Sequence, residues 1–191
     1  GELAAVICIF DPLRAEAKDA IRALHACGIS KVVMMTGDNR RTAASVAEEV
    51  GVDEFYAEVL PEDKAAFIRR EKAAGRTVIM IGDGVNDSPA LSEADAGVAI
   101  STGAAIAREI ADITIAPEDL FELVTLRRIS EALMGRIHRN YRFIVGFNLG
   151  LIVFGVAGLL PPTTSALLHN ASTLAISLKS MTNLLPDKKK I

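Results

Sequence analysis

The most constraining feature of the sequence is the decapeptide GDGVNDSPAL at positions 82–91, which directly follows the apolar run TVIMI at positions 77–81. The apolar run predicts a buried parallel strand, and the glycines beside Asp83 let the main chain turn sharply and approach a ligand. Two carboxylates, Asp83 and Asp87, then face one small space at a predicted helix start. Such a pair suits a Mg²⁺ ion shared with a phosphoryl group. The alternative is an ordinary strand-to-helix turn in which the aspartates only cap the helix.

Apolar runs and amphipathic segments alternate at short spacing over roughly the first 115 residues. Predicted strands cover residues 3–10, 31–35, 53–57, 77–81, 97–100 and 112–115, and predicted helices cover residues 15–27, 40–50, 61–74, 87–94 and 104–110. This alternation predicts an α/β fold with a doubly wound, mostly parallel sheet that binds ligands beyond the carboxyl ends of its strands. A long predicted helix, residues 118–142, leads out of this sheet domain.

The end of the chain is far more apolar than the rest, because residues 143–185 contain a single charged residue, Lys179. Residues 143–160 carry no charge and would span about 27 Å as a helix, enough to cross a hydrocarbon core. A Pro-Pro turn and a second apolar segment, residues 163–185, follow, so the sequence predicts an α-helical transmembrane hairpin. Basic residues at its outer ends place the sheet domain and both chain ends in the cytoplasm. The alternative is a buried helical hairpin in a soluble protein.

Composition excludes some classes of function. The net charge of -3 and the lack of an aromatic-rich basic patch predict no nucleic-acid partner. Cys8 and Cys27 are far apart and lack metal-binding spacing, which predicts core thiols in a reducing compartment. The chain opens with Gly1 rather than Met and has no signal peptide, as expected for a piece of a longer protein.

Three predicted loops meet at one edge of the sheet, and they contribute Thr36, Lys64 and the Asp83–Asp87 pair. A hydroxyl, an ammonium and two carboxylates are the groups needed to hold a phosphoryl group and its Mg²⁺. Lys64 lies near a helix start, where a cation opposes the helix dipole, and a bound anion would explain its position. Taken singly, Lys64 also fits a solvated surface lysine and Thr36 an ordinary helix cap.

Four motifs in this order resemble the P-type ATPases: DPLR at 11–14, MTGDN at 35–39, LPEDK at 60–64 and the decapeptide at 82–91. These proteins are ion pumps whose phosphorylation domain has the haloacid dehalogenase fold. The final hairpin, with LHNAST at 168–173, looks most like the heavy-metal-transporting branch. The resemblance covers nearly the whole chain. It implies the C-terminal part of a phosphorylation domain at 1–118, a connecting helix at 119–142, and two transmembrane helices with a short cytoplasmic tail at 143–191, in a multi-pass protein of the cell membrane.

The resemblance also implies a role for each matching residue. Asp83 would bind Mg²⁺, with Asp87 completing or supporting the site. Thr36 and Asn86 would hydrogen-bond the phosphoryl oxygens, and Lys64 would neutralise their charge.

Further residues of the same motifs complete the expected site. Gly37 and Asp38 follow Thr36 in its loop and belong to the catalytic set. Asp11 and Asp38 are expected near the nucleotide side of the cleft, where ATP binds, or at the hinge to the nucleotide domain. Arg14 is expected at that hinge.

Several parts of such a pump do not occur in the 191 residues. They are the DKTGT motif with its aspartyl nucleophile, the nucleotide-binding domain, the TGE-bearing actuator and the earlier membrane helices with a Cys-Pro-Cys-like motif. The resemblance therefore predicts the C-terminal portion of a pump, with the N-terminal part of the same protein as its partner, and no phosphorylation or transport by this portion alone. In the whole protein, ATP would phosphorylate the missing aspartate, and the helix at 118–142 would carry the change to the membrane.

The polar residues of the second apolar segment are candidate ligands of the transported ion: His169, Asn170, Ser172 and Thr173. Histidine favours a divalent transition metal such as Zn²⁺, Co²⁺, Ni²⁺, Fe²⁺ or Mn²⁺. The alternative is helix–helix hydrogen bonding by these side chains. Related pumps with a His-Glu-Gly sequence here are associated with cobalt or zinc. In this chain Asn170 stands in place of the Glu, so the motif does not determine which ion is transported.

Two rival functions are consistent with the same residues. One is a membrane-anchored phosphatase of the haloacid dehalogenase fold, which needs its own nucleophilic aspartate. Asp11 follows a predicted strand but lacks a second aspartate two residues on, where Leu13 stands. The other is a non-catalytic membrane protein that keeps the fold as a regulatory module.

Overall fold

The computed structural model describes residues 13–82, 86–100, 109–116 and 119–185. The chain divides between Val124 and Thr125 into two compact units. The predicted strand at 3–10, most of the predicted helix at 104–110, and the residues Cys8, Asp11 and Asp83 lie outside the described residues.

The helices of the first unit begin and end close to the start and stop signals in the sequence. They are α1 (Ala17–Ala26), α2 (Arg40–Val50), α3 (Pro61–Ala73) and α4 (Ser88–Glu93). Asn39 caps α2, because its side-chain oxygen accepts the Thr42 N–H at 3.0 Å. Gly51 ends α2 with a φ of 78°, a left-handed conformation that glycine adopts without a steric penalty.

The strands of the first unit are short, and each of their ladders is parallel. They are β1 (Val33–Met35), β2 (Glu54–Tyr56), β3 (Ile79–Gly82), β4 (Ala96–Ile100) and β5 (Ile113–Ile115). β1 pairs with β2, while β3, β4 and β5 pair in that order. Among the described strands no ladder joins β1 to β3, so the single sheet that the sequence predicted is observed as a two-stranded and a three-stranded sheet.

Small and branched apolar residues fill the core of the first unit. The largest fully buried side chains are Ile68 of α3, Leu91 of α4 and Val98 of β4. α3 packs against α4, and α4 in turn packs on β3 and β4 of the three-stranded sheet. This packing positions the starts of both helices.

We expect Gly97→Ala to destabilise the chain by about 2 kcal/mol. A Cβ on Gly97 would lie 2.8 Å from the main-chain oxygen of Leu91, so α4 would have to move away from β4. Urea unfolding of the wild-type and variant chains measures the change. An unaltered midpoint would show that α4 does not pack this closely on β4.

Ion pairs and hydrogen bonds fasten the residues that precede the strands. The carboxylate of Asp95, directly before β4, accepts the Val78 N–H at 2.8 Å, and its other oxygen lies 3.2 Å from Lys72 Nζ. The bond from Val78 is the main reason that the pKa of Asp95 lies below its usual value, with Lys72 adding to the effect.

The lowered pKa of Asp95 predicts an acid-dependent contribution to stability. Because the carboxylate is favoured in the folded chain, its contribution is present above about pH 4 and is lost as the pH falls through the lowered folded-state pKa. We therefore expect Asp95→Asn, which can still accept the Val78 N–H, to be less stable than wild type near neutral pH and equally stable in strong acid. Unfolding measured across this range tests the prediction, and a difference independent of pH would contradict it.

The second unit consists of most of α5 (Phe121–Val156) and of α6 (Pro162–Ser180). α5 passes through residue 142 without a break and ends before Gly158, whose φ is 72°. The uncharged part of α5 therefore covers residues 143–156 rather than the predicted 143–160. α6 is rich in polar residues, because ten of its 19 residues are Ser, Thr, Asn, His or Lys. Among the described residues, none of the helices combines the length and apolarity needed to cross a bilayer, and the predicted transmembrane hairpin is not confirmed.

Candidate functional site

The candidate site lies where three connections leave the carboxyl ends of parallel strands. Thr36 directly follows β1, Lys64 lies in the first turn of α3 after β2, and Asp87 precedes α4 after β3. Loops at this edge of a parallel sheet are where α/β proteins bind ligands.

Lys64 and Asp87 form an ion pair in the site. Lys64 Nζ donates to Asp87 Oδ1 at 2.7 Å, and the two side chains are only 15% and 12% exposed. Asp87 occupies the cap position of α4, yet its side chain makes no capping hydrogen bond. The carboxylate therefore faces the α3 lysine instead of serving its own helix, which is not what a simple capping role predicts.

Gly82 allows Asp87 to take this position. A Cβ on Gly82 would lie 2.7 Å from Asp87 Cβ and 2.8 Å from Asp87 Cγ, closer than side chains pack. The sequence suggested that a glycine here lets a ligand approach the main chain. The structure shows that a carboxylate of the chain itself approaches, so Gly82 is a site residue that was missing from the predicted set.

Thr36 and Asp38 form a small hydrogen-bonded pair after β1. Thr36 Oγ1 donates to Asp38 Oδ2 at 2.8 Å and accepts the Asp38 N–H at 3.1 Å. Main-chain bonds then join this loop to the one before α3, since the Val59 N–H donates to the Thr36 carbonyl at 3.0 Å. The Thr36 loop and the start of α3 are thereby held at one edge.

The first turn of α3 combines acids with the lysine of the site. Asp63 Oδ2 accepts the Leu60 N–H at 3.2 Å, which satisfies a donor at the helix start. Lys64 is the next residue, and its charge opposes the helix dipole. Its ion pair with Asp87 offsets that cost in the structure.

The other predicted residues of this site are more exposed. Gly37, Asp38 and Asn86 are open to solvent, and Arg14 Nη1 lies 3.8 Å from Glu16 Oε1. Of the predicted catalytic set, the structure thus brings Lys64 into direct contact with Asp87. The roles of all these residues in binding a phosphoryl group or ATP stay predictions.

Among the residues that the structure describes, several whose pKa differs clearly from its usual value lie away from this edge. Glu54 raises the pKa of Lys31, Arg76 lowers the pKa of Glu71, and Asp95 was described above. Lys31, Arg76 and Asp95 each precede a strand. These shifts therefore stem from interactions that fasten the opposite ends of the strands.

A second group of polar side chains lies between α5 and α6. His169 Nδ1 lies 2.8 Å from Asn148 Oδ1, while the hydroxyls of Ser172 and Thr173 donate to the His169 carbonyl at 2.8 and 3.0 Å. Both hydroxyls are thus used within α6. Asn148 was missing from the predicted set, although an amide within an apolar run was the signal that could have identified it. No group of three or more His, Cys, Asp or Glu side chains suited to a metal ion occurs within the described ranges.

Comparisons with known proteins identify the fold and the relatives. The family model for haloacid dehalogenase-like hydrolases matches residues 1–95. The copper-transporting ATPase 2 of Rhizobium meliloti (strain 1021) is 45% identical over 168 residues, which is 88% of this chain and 20% of that protein. The manganese-exporting P-type ATPase of Mycobacterium bovis (strain ATCC BAA-935 / AF2122/97) is 41% identical over 177 residues, 92% of this chain and 25% of that protein.

A solved structure agrees with these relatives. The crystal structure of a zinc-transporting PIB-type ATPase in the E2.Pi state matches with a TM-score of 0.83 and 33% identity, over 90% of this chain and 28% of that one. The chain thus spans between a fifth and about a quarter of the length of the curated relatives quoted above. These matches confirm the predicted haloacid dehalogenase-like α/β parallel sheet. The chain thus carries a haloacid dehalogenase-like hydrolase domain, and over most of its length it is similar to heavy-metal P-type ATPases.

Proposed function

We propose that the chain is the C-terminal portion of an ATP-driven heavy-metal cation pump that works through an aspartyl-phosphate. The observation that carries this proposal is the ion pair of Lys64 and Asp87, at 2.7 Å, in the connections that follow the carboxyl ends of β2 and β3. Largely buried opposite charges at the carboxyl ends of parallel strands are typical of sites that bind phosphoryl groups.

The described residues of the site have complementary roles in the proposed reaction. Lys64 neutralises the charge of the phosphoryl oxygens, and Asp87 fixes the direction of its ammonium group. The Thr36 hydroxyl turns from Asp38 to donate to a phosphoryl oxygen, since a hydroxyl rotates readily between acceptors. The exposed amide of Asn86 donates to a second oxygen.

The donor set fits Mg²⁺, because carboxylate oxygens are hard ligands and Asp87 is seated against the Gly82 main chain, where a Cβ would displace it. Asp87 and Asp83 would hold the ion, and bound Mg²⁺ supplies positive charge that stabilises the transferring phosphoryl group. ATP would approach from the side of Asp11, Arg14 and Asp38.

The nucleophilic aspartate of the proposed pump lies in another part of the same protein. The 191 residues contain no DKTGT motif.

We propose a membrane location for α5 and α6, with the sheet unit and both chain ends in the cytoplasm. Large apolar side chains at high exposure support it, such as Val156 at 86% and Leu167 at 69%. His169, with Asn148 beside it, is the proposed ligand of the transported cation, together with Asn170, Ser172 and Thr173. The quoted relatives are named for three different metals, copper, manganese and zinc. We therefore propose a heavy-metal cation as the transported ion without choosing among these metals.

Phosphoenzyme trapping tests the proposed function. The full-length protein that contains this chain should form an acid-stable phosphoenzyme from ATP that depends on one member of a panel of copper, zinc, manganese, cobalt and nickel ions. The 191-residue chain alone should form none and should not hydrolyse p-nitrophenyl phosphate. Hydrolysis by the chain alone would favour the phosphatase, and inactivity of both proteins would favour the regulatory module.

A further inference from the structure

One end of the α5–α6 unit is strongly positive. Residues 132–185 contain no Asp or Glu, and their Lys and Arg residues are Arg136, Arg139, Arg142 and Lys179. The acid that precedes this stretch, Glu131, lies 2.9 Å from Arg127. The positive charge of the stretch therefore has no counter-charge within it.

Arg136 and Asn140 bring the end of α6 to the same place. Arg136 donates to three main-chain carbonyls at 2.9, 2.6 and 2.8 Å, those of Ser180, Thr182 and Asn183. Asn140, one turn further along α5, donates to Ser180 Oγ at 2.9 Å. Lys179 therefore shares this end of the unit with the arginines of α5.

Three of the four cations remain available for a ligand. Arg139, Arg142 and Lys179 are exposed and make no ion pair within the part of the chain that the structure describes. The guanidinium of Arg142 makes only a long hydrogen bond, 3.4 Å, to the His138 carbonyl. We call these three residues the basic collar.

An exposed apolar surface begins directly beside the basic collar. Phe143, Val145 and Leu149 are 52%, 47% and 58% exposed. Tyr141, an aromatic residue with a polar tip, lies between Arg139 and Arg142 of the collar and is 65% exposed. The cations, with an amphipathic aromatic residue among them, are followed along α5 by apolar side chains, which is the order of the headgroup and acyl layers of a membrane.

We propose that the basic collar binds the headgroup phosphates of anionic phospholipids, an inference that rests on the proposed membrane location of α5 and α6. Guanidinium groups pair with phosphate oxygens in a bidentate manner, and the adjacent apolar side chains contact the acyl chains. A soluble anion could use only the first of these interactions. The combination favours a lipid as the ligand.

Vesicle flotation of the purified chain tests the inference. Binding to phosphatidylcholine vesicles is compared with binding to vesicles that also contain phosphatidylglycerol. We expect the anionic lipid to strengthen binding by about 100-fold, roughly five-fold for each of the three charges. The triple variant R139Q/R142Q/K179Q should lose this preference, whereas the control K18Q/R40Q/R41Q, which removes three exposed cations of the first unit, should keep it.

The possible outcomes distinguish a failure of lipid binding by the basic collar from a failure of the proposed membrane location. Equal binding of the wild-type chain to both kinds of vesicle would contradict binding of anionic headgroups by the basic collar. The proposed membrane location of α5 and α6 would then still stand. Binding to neither would overturn both. If inorganic phosphate at the concentration of the lipid phosphate abolished the preference, the collar would be a site for soluble anions instead of lipid. Circular dichroism tests whether each variant is as helical as the wild type.

Discussion

Replacement of Lys64 by methionine in the full-length protein should lower ATP hydrolysis by about 100- to 1000-fold, the usual cost of losing a group that stabilises transition-state charge. Methionine keeps most of the side-chain length and removes the ammonium that we place on the phosphoryl oxygens. It also leaves the Asp87 carboxylate, only 12% exposed, without its partner at 2.7 Å. We expect a loss of stability of about 2 kcal/mol from that change.

A second lysine of α3 provides the control that separates chemistry from folding. Lys72 Nζ donates to the Glu93 carbonyl at 2.8 Å and lies 3.2 Å from Asp95 Oδ1. Lys72→Met should therefore destabilise the same region and leave the rate of the folded protein nearly unchanged. Equal loss of activity in both variants would mean that Lys64 acts only through stability.

The substitution Gly82→Ala should lower ATP hydrolysis of the full-length protein by about 100-fold or more. The new methyl group would lie 2.7 Å from Asp87 Cβ, an atom that cannot rotate away because it is bonded to the main chain. The start of α4 must therefore shift, and the contact between Asp87 and Lys64 must lengthen. Activity assays measure the loss, and a crystal structure of the variant measures the shift.

Gly135→Ala is the matched control for this change. Among the described residues, a Cβ on Gly135 would meet the flexible end of Arg139, at 3.7 Å, and no other atom within 4 Å outside its own helix backbone. Alanine also favours a helix more than glycine does. We expect activity near the wild-type level. Full activity of Gly82→Ala would contradict the close packing of Asp87 on the main chain of residue 82.

Local sequence signals predicted the helices and strands of the first unit well. Asn39 and Gly51 mark both ends of α2, and Pro61 marks the start of α3, because caps and prolines act on the residues next to them. The apolar run at 77–81 predicted β3, which the structure places at Ile79–Gly82. These signals depend on short-range geometry, so they can be interpreted without knowing the fold.

Interactions between distant residues were harder to predict. The pairing of Lys64 with Asp87 joins residues 23 positions apart, and the sequence placed both at one site without showing that they touch. Asn148 and His169 are 21 positions apart, and their contact depends on how α5 packs against α6. Hydropathy likewise gave no sign that α5 would end at Val156, because Gly158 takes a left-handed conformation within an uncharged run.

The most direct measurement is a crystal structure of the full-length protein with Mg²⁺ and beryllium fluoride, which mimics a phosphoryl group. Our interpretation predicts that the fluoride atoms lie about 3 Å from both Lys64 Nζ and Thr36 Oγ1, within hydrogen-bond distance. Beryllium fluoride bound at another edge of the sheet, with Lys64 still turned to Asp87 alone, would contradict it.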